Sequence, residues 1–347
     1  MLKKLFLPLL LCLLLTGCQT GGSTSSTPAI TTETQEFSST IFAMDTVMEL
    51  KLFGDSQEPL NEAAELITSL ENALSTTDSG SEIYALNHSG SAALSENSAA
   101  LLRRALELCK ETDGALDISI YPLVRTWGFT TGSYRVPPQE ELDALLAHVD
   151  YTKITLDENS VASIPKGMEL DLGSIAKGRT GDLVCEHFRS QGITSALLNL
   201  GGNVQALGGK PDGSPWKIGI QDPENAENYL GVVAIRDEAV ITSGGYERYF
   251  EENGQTYWHI IDPATGAPAR SGILSATIVG KEGTRCDALS TALFIMGPEK
   301  AQQFWQEHRD FDMILVTDDR TVIVTPGLEG RFELTKNSGC TLKMIDP

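Results

Sequence analysis

Apolar residues recur at three- and four-residue spacing over Pro59 to Ala73 and Asn97 to Thr112, which predicts two amphipathic helices. The same period returns at Ile175 to Gln191, Ala288 to Met296 and Pro298 to His308. Between them, runs of alternating or β-branched apolar residues predict strands at Thr46 to Phe53, Thr194 to Leu200, Trp216 to Ile220, Gly231 to Ile235, Ser275 to Gly280 and Met313 to Val324. Trp258 to Ile261 alternates in the same way and then turns at Asp262-Pro263-Ala264-Thr265-Gly266. Strands and helices interleave without a regular βαβ rhythm, and hairpin-like pairs are present, so the fold class is α+β. With no repeat and no low-complexity break after about Ser39, residues 39–347 are expected to form one body.

The start of the chain follows another logic. Lys3 and Lys4 precede an apolar run from Leu5 to Leu15, the length of a signal-peptide core and too short to span a bilayer, which takes roughly 20 residues. The run ends in Leu15-Thr16-Gly17-Cys18, which resembles the lipobox of bacterial lipoproteins. That resemblance implies removal of residues 1–17 and a palmitate-class lipid on Cys18, holding the chain at the extracytoplasmic face of the plasma (inner) membrane. Residues 18–38 are rich in Ser, Thr and Gly and read as a flexible tether. A soluble form starting after Glu36 is expected to keep its chemistry.

Composition narrows the functional classes. Without residues 1–17 the chain has 24 basic and 47 acidic residues, a net charge of −23 that argues against nucleic acid and against electrostatic docking on anionic lipid. Cys109, Cys185, Cys286 and Cys340 are widely spaced with no C-x-x-C pair, which leaves one or two disulfides and buried thiols both open. No H-E-x-x-H occurs, so zinc hydrolase chemistry is disfavoured.

Four segments carry candidate chemistry. Leu170-Asp171-Leu172-Gly173-Ser174-Ile175-Ala176-Lys177-Gly178 passes from small residues into a helix; it reads either as a phosphate or cation site or as a helix start capped by Asp171 or Ser174. Asn199-Leu200-Gly201-Gly202-Asn203 reads as a close backbone approach or as a turn. In Trp258-His259-Ile260-Ile261, a strand would set His259 and Ile261 on one side, an imidazole beside an apolar platform or a structural histidine at a sheet end. Asp287-Ala288-Leu289-Ser290-Thr291 opens an apolar helix with a carboxylate and a hydroxyl four apart, hard oxygen ligands suited to Mg²⁺, or an N-cap followed by a buried threonine.

Taken in order, D-L-G-x-I-A-K-G, N-x-G-G-N, T-S-G-x-Y at Thr242 to Tyr246, H-I-I-D-P-x-T-G-x-P and D-A-L-S-T resemble the ApbE family of FAD:protein FMN transferases. Ala43-Met44-Asp45-Thr46, Ser81-Glu82-Ile83, Gly114-Ala115-Leu116-Asp117 and Trp127-Gly128-Phe129 extend the resemblance over nearly the whole body. It implies a T-fold-related body of mixed, mainly antiparallel sheets with packed helices, and transfer of FMN from FAD to a threonine hydroxyl of a target flavoprotein with release of AMP. It further implies Mg²⁺ held by Ser174, through its carbonyl, with Asp287 and Thr291. FAD contacts follow from Met44, Ala115, Leu116, Asp117, Asp171, Lys177 and Ile261, with His259 as general base or acid. Acceptors of the family are exported or membrane redox proteins.

Two positions depart from the family pattern: Asp45 stands where glycine is usual, and Ser75-Thr76-Thr77 lacks an aromatic that many members carry. Two rival readings remain. One is a Mg²⁺-dependent FAD pyrophosphatase using the same site, and the other a solute- or flavin-binding lipoprotein without turnover.

Overall fold

The computed structural model describes residues 35–336 and 338–346. Cys18, the signal segment and most of the tether lie outside the described residues. The tether boundary at residue 38 needs correction, because Gln35–Ala43 is already a strand, paired residue by residue with Thr46–Gly54 from Gln35↔Gly54 to Ala43↔Thr46.

A nine-stranded sheet organises the molecule. Its order runs Gln35–Ala43, Thr46–Gly54, Ala196–Leu200, Asn203–Leu207, Ala239–Gly244, Ile273–Gly280, Asp312–Thr317, Thr321–Val324 and Thr341–Met344, antiparallel throughout except for the last pair. The run Met313 to Val324, read as one strand, is two strands joined by a turn at Asp318–Arg320. Side-chain alternation explains its burial on both faces. Met313 and Leu315 face the helices Gly283–Met296 and Pro298–His308. Ile314 and Val316 face a three-stranded sheet of Trp216–Asp222, Asn225–Ile235 and Phe332–Leu334.

Helices Glu58–Leu74 and Gly173–Ser190 cover the other half of the large sheet, Ile67 and Phe188 packing on Leu50 and Leu198. Helix Glu96–Glu111 starts at Ser95, whose hydroxyl accepts the Ser98 N–H, and buries Leu101, Leu102, Ala105 and Leu108 in a flanking cluster. The α+β class is therefore what the structure shows. Cys109, Cys185, Cys286 and Cys340 are free thiols, the first three buried. Among the described residues no helix is long and apolar enough to cross a membrane.

Candidate active site

Two helices cross with almost nothing between them. A Cβ built on Gly178, in Gly173–Ser190, would lie 2.2 Å from the Gly283 carbonyl oxygen and 2.7 Å from the Asp287 Cβ, so glycine alone permits the approach. One turn further on, Asp182 accepts the Gly283 N–H (2.7 Å), the Thr284 N–H (2.8 Å) and the Thr284 hydroxyl (2.6 Å). It thereby satisfies the free donors at the start of helix Gly283–Met296. The reading of Asp287 as N-cap, with the helix opening near Ala288, is thus corrected. The cap comes from another helix, and Asp287 sits in the second turn with its carboxylate free for other work.

That carboxylate accepts the Gly178 N–H at 2.8 Å. Helix geometry assigns the same donor to the Ser174 carbonyl. Sharing it leaves acceptor capacity on an oxygen with two lone pairs. Thr291, four residues from Asp287, lies on the same helix face, with its hydroxyl 3.2 Å from Ser243 Oγ, itself 2.8 Å from Ser290 Oγ. Burial pushes the Asp287 carboxyl up to about 6, against Lys177 and the Gly178 N–H, which favour its charge. The buried Asn203 amide beside it also favours the charged form, although its Nδ2 reaches no acceptor at full hydrogen-bond geometry. A buried carboxylate short of compensation, next to a carbonyl and a hydroxyl, fits a hard divalent cation that keeps water and substrate oxygens in its remaining positions. Among the described residues no three His, Cys, Asp or Glu side chains gather as a softer metal cluster would need.

Met44, Ala115, Leu116, Asp117, Asp171, Ser174, Lys177, His259, Ile261, Asp287 and Thr291 all line one cleft of about 620 Å³, within the range of small-molecule sites. The Asp171 carboxylate accepts the Gly173 N–H at 2.7 Å, so it caps the helix and faces the cleft at once. Burial raises its pKa, against that hydrogen bond and the nearby Arg248. Asp117 is more committed: it accepts from Ser119 N–H (2.8 Å), Ser119 hydroxyl (2.6 Å) and Tyr151 N–H (3.1 Å). Its carboxylate therefore fixes the 115–117 backbone against the cleft wall.

His259 does not lie in a strand. The strand ends at Trp258, and Ile261 makes one isolated bridge to Pro268, because the Asp-Pro-x-Thr-Gly turn draws the chain away from the sheet. His259 and Ile261 line the cleft nonetheless. The Trp127 indole N–H, donating to the Gly266 carbonyl at 2.8 Å, ties the turn to the Trp127-Gly128-Phe129 segment. His259 Nδ1 lies 3.2 Å from the Arg248 carbonyl. A carbonyl only accepts, so Nδ1 carries the proton and Nε2 is left bare. Burial, then Arg248 and Lys177, push the imidazole down to about 3, opposed by that carbonyl contact.

Two tight hairpin turns form the opposite rim. Gly201 and Gly202 join Leu200 to Asn203 with φ of 65° and 94°, and a Cβ on Gly201 would strike Thr46 Oγ1 at 2.2 Å. The turn and close-approach readings of this glycine pair both hold. Met44 and Asp45 join Ala43 to Thr46 with φ of 50° and 60°. This turn needs left-handed backbone at both positions, which aspartate tolerates better than most residues. Asp45 therefore preserves the turn that glycine would make and adds a carboxylate to the rim. Ser75 and Thr77 close a small turn of their own, with Ser75 Oγ accepting the Thr77 N–H at 3.2 Å.

Sequence reading singled out no role for Glu247 and Arg248, which also line the cleft. The Glu247 carboxyl, crowded on the rim although open to solvent, is pushed up to about 6 by desolvation, against Lys177, with Asp287 adding to the rise. Neither Lys177 nor Arg248 is in an ion pair among the described residues. Lys177 and Arg248 are thus uncommitted cations able to meet an anion, in a cleft that also carries the carboxylates of Asp45, Asp117, Asp171, Glu247 and Asp287. Glu247 and Arg248 both follow the Thr242 to Tyr246 motif but sit in irregular chain, where periodicity is silent.

A profile of the ApbE family matches residues 44–315. The FAD:protein FMN transferase of Klebsiella pneumoniae is 34% identical over 289 residues, spanning 82% of this chain and 90% of that one. That of Treponema pallidum is 34% identical over 294 residues, spanning 79% and 81%. Among solved structures, the ApbE protein of Thermotoga maritima superposes with a TM-score of 0.76 at 30% identity, covering 87% of this chain and 97% of that one. The flavin transferase ApbE of Vibrio cholerae gives 0.74 at 30% identity, covering 82% and 94%. Profile, sequence and fold agree over the segments that build the cleft, and the chain belongs to the ApbE family.

Proposed function

We propose that this chain transfers FMN from FAD to a threonine hydroxyl of a target flavoprotein, in a Mg²⁺-dependent reaction that releases AMP. The observation that carries the reading is one cleft that joins a buried, under-compensated carboxylate, two uncommitted cations and a histidine with a bare Nε2. Ser174, Asp287 and Thr291 hold the cation, and its chemistry is to neutralise charge on the pyrophosphate. Lys177 and Arg248 bind the anionic phosphates. The 115–117 backbone, Met44 and Ile261 give FAD apolar and main-chain contacts.

Phosphoryl chemistry of this kind is mostly positioning and charge neutralisation. The hydroxyl oxygen bonds to the phosphorus of the FMN half as the bridging P–O bond breaks, and AMP leaves with that electron pair. His259 Nε2 takes the hydroxyl proton. In the free protein its low pKa keeps it neutral, the right state for a base though a weak one. Burial is the largest cause of that low value; phosphate anions against Lys177 and Arg248 offset only the smaller, electrostatic part of it.

The lipobox supports a second part of the proposal: Cys18 is lipidated and holds the enzyme at the extracytoplasmic face of the plasma membrane, near exported acceptors. Cys18→Ala releases it to the soluble fraction; retention at the membrane refutes the anchor. For the chemistry, protein, FAD, Mg²⁺ and a threonine-bearing flavoprotein domain give a fluorescent flavin band that survives denaturing electrophoresis. FAD consumed without the band indicates the pyrophosphatase reaction, and no consumption refutes both.

A further inference from the structure

Strands Tyr249–Glu252 and Gln255–Trp258 form a two-stranded sheet that joins no other sheet among the described residues. Asn253 and Gly254 join them with φ of 53° and 76°. The register is Tyr249↔Trp258, Phe250↔Tyr257, Glu251↔Thr256 and Glu252↔Gln255. Bonded and non-bonded pairs alternate in an antiparallel ladder, and a two-residue turn closes on a bonded pair. Glu252↔Gln255 and Phe250↔Tyr257 are thus bonded, and so, one step beyond, is Arg248↔His259; the His259 N–H does donate to the Arg248 carbonyl at 3.1 Å. It follows that Tyr249, Glu251, Thr256 and Trp258 turn their amides and carbonyls outward.

One outer edge is answered. Arg270 donates to the Thr256 carbonyl at 2.6 Å, and its guanidinium lies 4.7 Å from the Trp258 ring centre. On the other edge, the main chain of Tyr249 and Glu251 has no backbone partner among the described residues, and both residues are exposed. An open strand edge is a template for another strand. A second copy is a poor occupant, because Glu251 and Glu252 would meet their own counterparts, and like charges across a ladder repel. The edge also leads straight into the cleft, whose lining includes Arg248 and His259. At about 3.4 Å per residue, a strand paired at Tyr249 and Glu251 reaches the level of Arg248 within one or two further residues.

We propose that the open edge of Tyr249–Glu252 is the docking strand for the acceptor protein, whose hydroxyl-bearing segment adds to it in extended form and so delivers its side chain to His259. This rests on the transferase reading above and names its second substrate's mode of recognition. Main-chain pairing supplies affinity with little demand on acceptor sequence, and the cleft supplies the selection of the reacting residue.

Two substitutions separate main chain from side chain. Glu251→Pro removes an outward N–H and no hairpin bond, a position where an edge strand accepts proline. Glu251→Ala keeps the N–H and removes the carboxylate. With full chain, FAD, Mg²⁺ and an acceptor domain, Glu251→Pro is expected to raise the acceptor KM roughly fivefold, the worth of about one hydrogen bond, with kcat and FAD affinity unchanged. Glu251→Ala leaves the KM at the wild-type value. An unchanged KM in Glu251→Pro overturns the proposal, as does an equal rise in Glu251→Ala. If proline disturbs the hairpin, FAD affinity changes too, and a photo-crosslinker replacing Tyr249 then decides: attachment within the hydroxyl-bearing segment supports the docking, attachment elsewhere on the acceptor overturns it. Wild-type chain that transfers no flavin fails at the earlier step and takes the docking proposal with it.

Discussion

The helix crossing at Gly178 and Gly283 and the hairpin of Tyr249–Trp258 border the same cleft and are built on opposite terms. At the crossing, helix backbones touch, Asp182 accepts four hydrogen bonds, three of them from Gly283 and Thr284, and the side chains that face the cleft have little room to move. The hairpin holds two four-residue strands, stacks Phe250 on Tyr257 and Tyr134 at 5.2 Å, and leaves one edge open. Cation chemistry tolerates little displacement, whereas recognition of a second protein needs a surface with unmet hydrogen bonds. On the proposed function, the rigid wall serves FAD and the open wall the acceptor.

The largest expected effect tests the rigid wall. Asp287→Ala lowers flavin transfer by roughly 10³-fold while far-UV circular dichroism is retained; wild-type turnover would remove the cation assignment. Gly178→Ala drives a methyl into the Gly283 carbonyl and is expected to cost about 3 kcal/mol in chemical denaturation. His259→Ala slows transfer by roughly 10²-fold without weakening FAD binding, measured by single-turnover kinetics. On the open wall the same glycine test is mild. Gly254→Ala meets no atom within 4 Å and costs about 1 kcal/mol of backbone strain, read in the same denaturation assay. A Gly254→Ala cost equal to that of Gly178→Ala would erase the contrast.

The remaining test is in pH. The folded His259 titrates near 3 and the unfolded imidazole near 6.5. Between these values the unfolded state binds the extra proton, so stability falls as pH drops from about 6.5 toward 3. His259→Gln is expected to lose less of its melting temperature over that window than wild type.

Much of this was legible in sequence, for reasons that differ by element. Helix Pro298–His308 was read to the residue, since proline starts it and its apolar period is clean. Helix Gly283–Met296 was read four or five residues short, because its cap is Asp182, more than a hundred residues away in sequence. Met313–Val324 showed its burial but hid its turn, since residues buried on both faces lose the alternation that marks strand ends. The cleft residues were found through ordered motifs, while Glu247 and Arg248 lay beyond periodicity and required the fold to bring them beside Lys177 and Asp287. Asp45 stands where glycine is usual in the family, and the φ values show the turn preserved.

The first strand carries a mechanical consequence. It enters the sheet at its outer edge, and its nine register pairs run from Gln35↔Gly54 inward to Ala43↔Thr46, next to the cleft turn. Tension arriving along the chain from its N-terminal side loads the Gln35↔Gly54 pair first. Ala43 alone in this strand is fully buried, so the outer pairs yield in sequence and dissipate the load before it reaches Met44. Under the proposed anchor the strand would act as a fuse between a pulled chain and the cleft rim. A soluble form that starts after Glu36 lacks the two outermost pairs and the Glu36–Lys51 ion pair, and keeps the seven that lead to Met44.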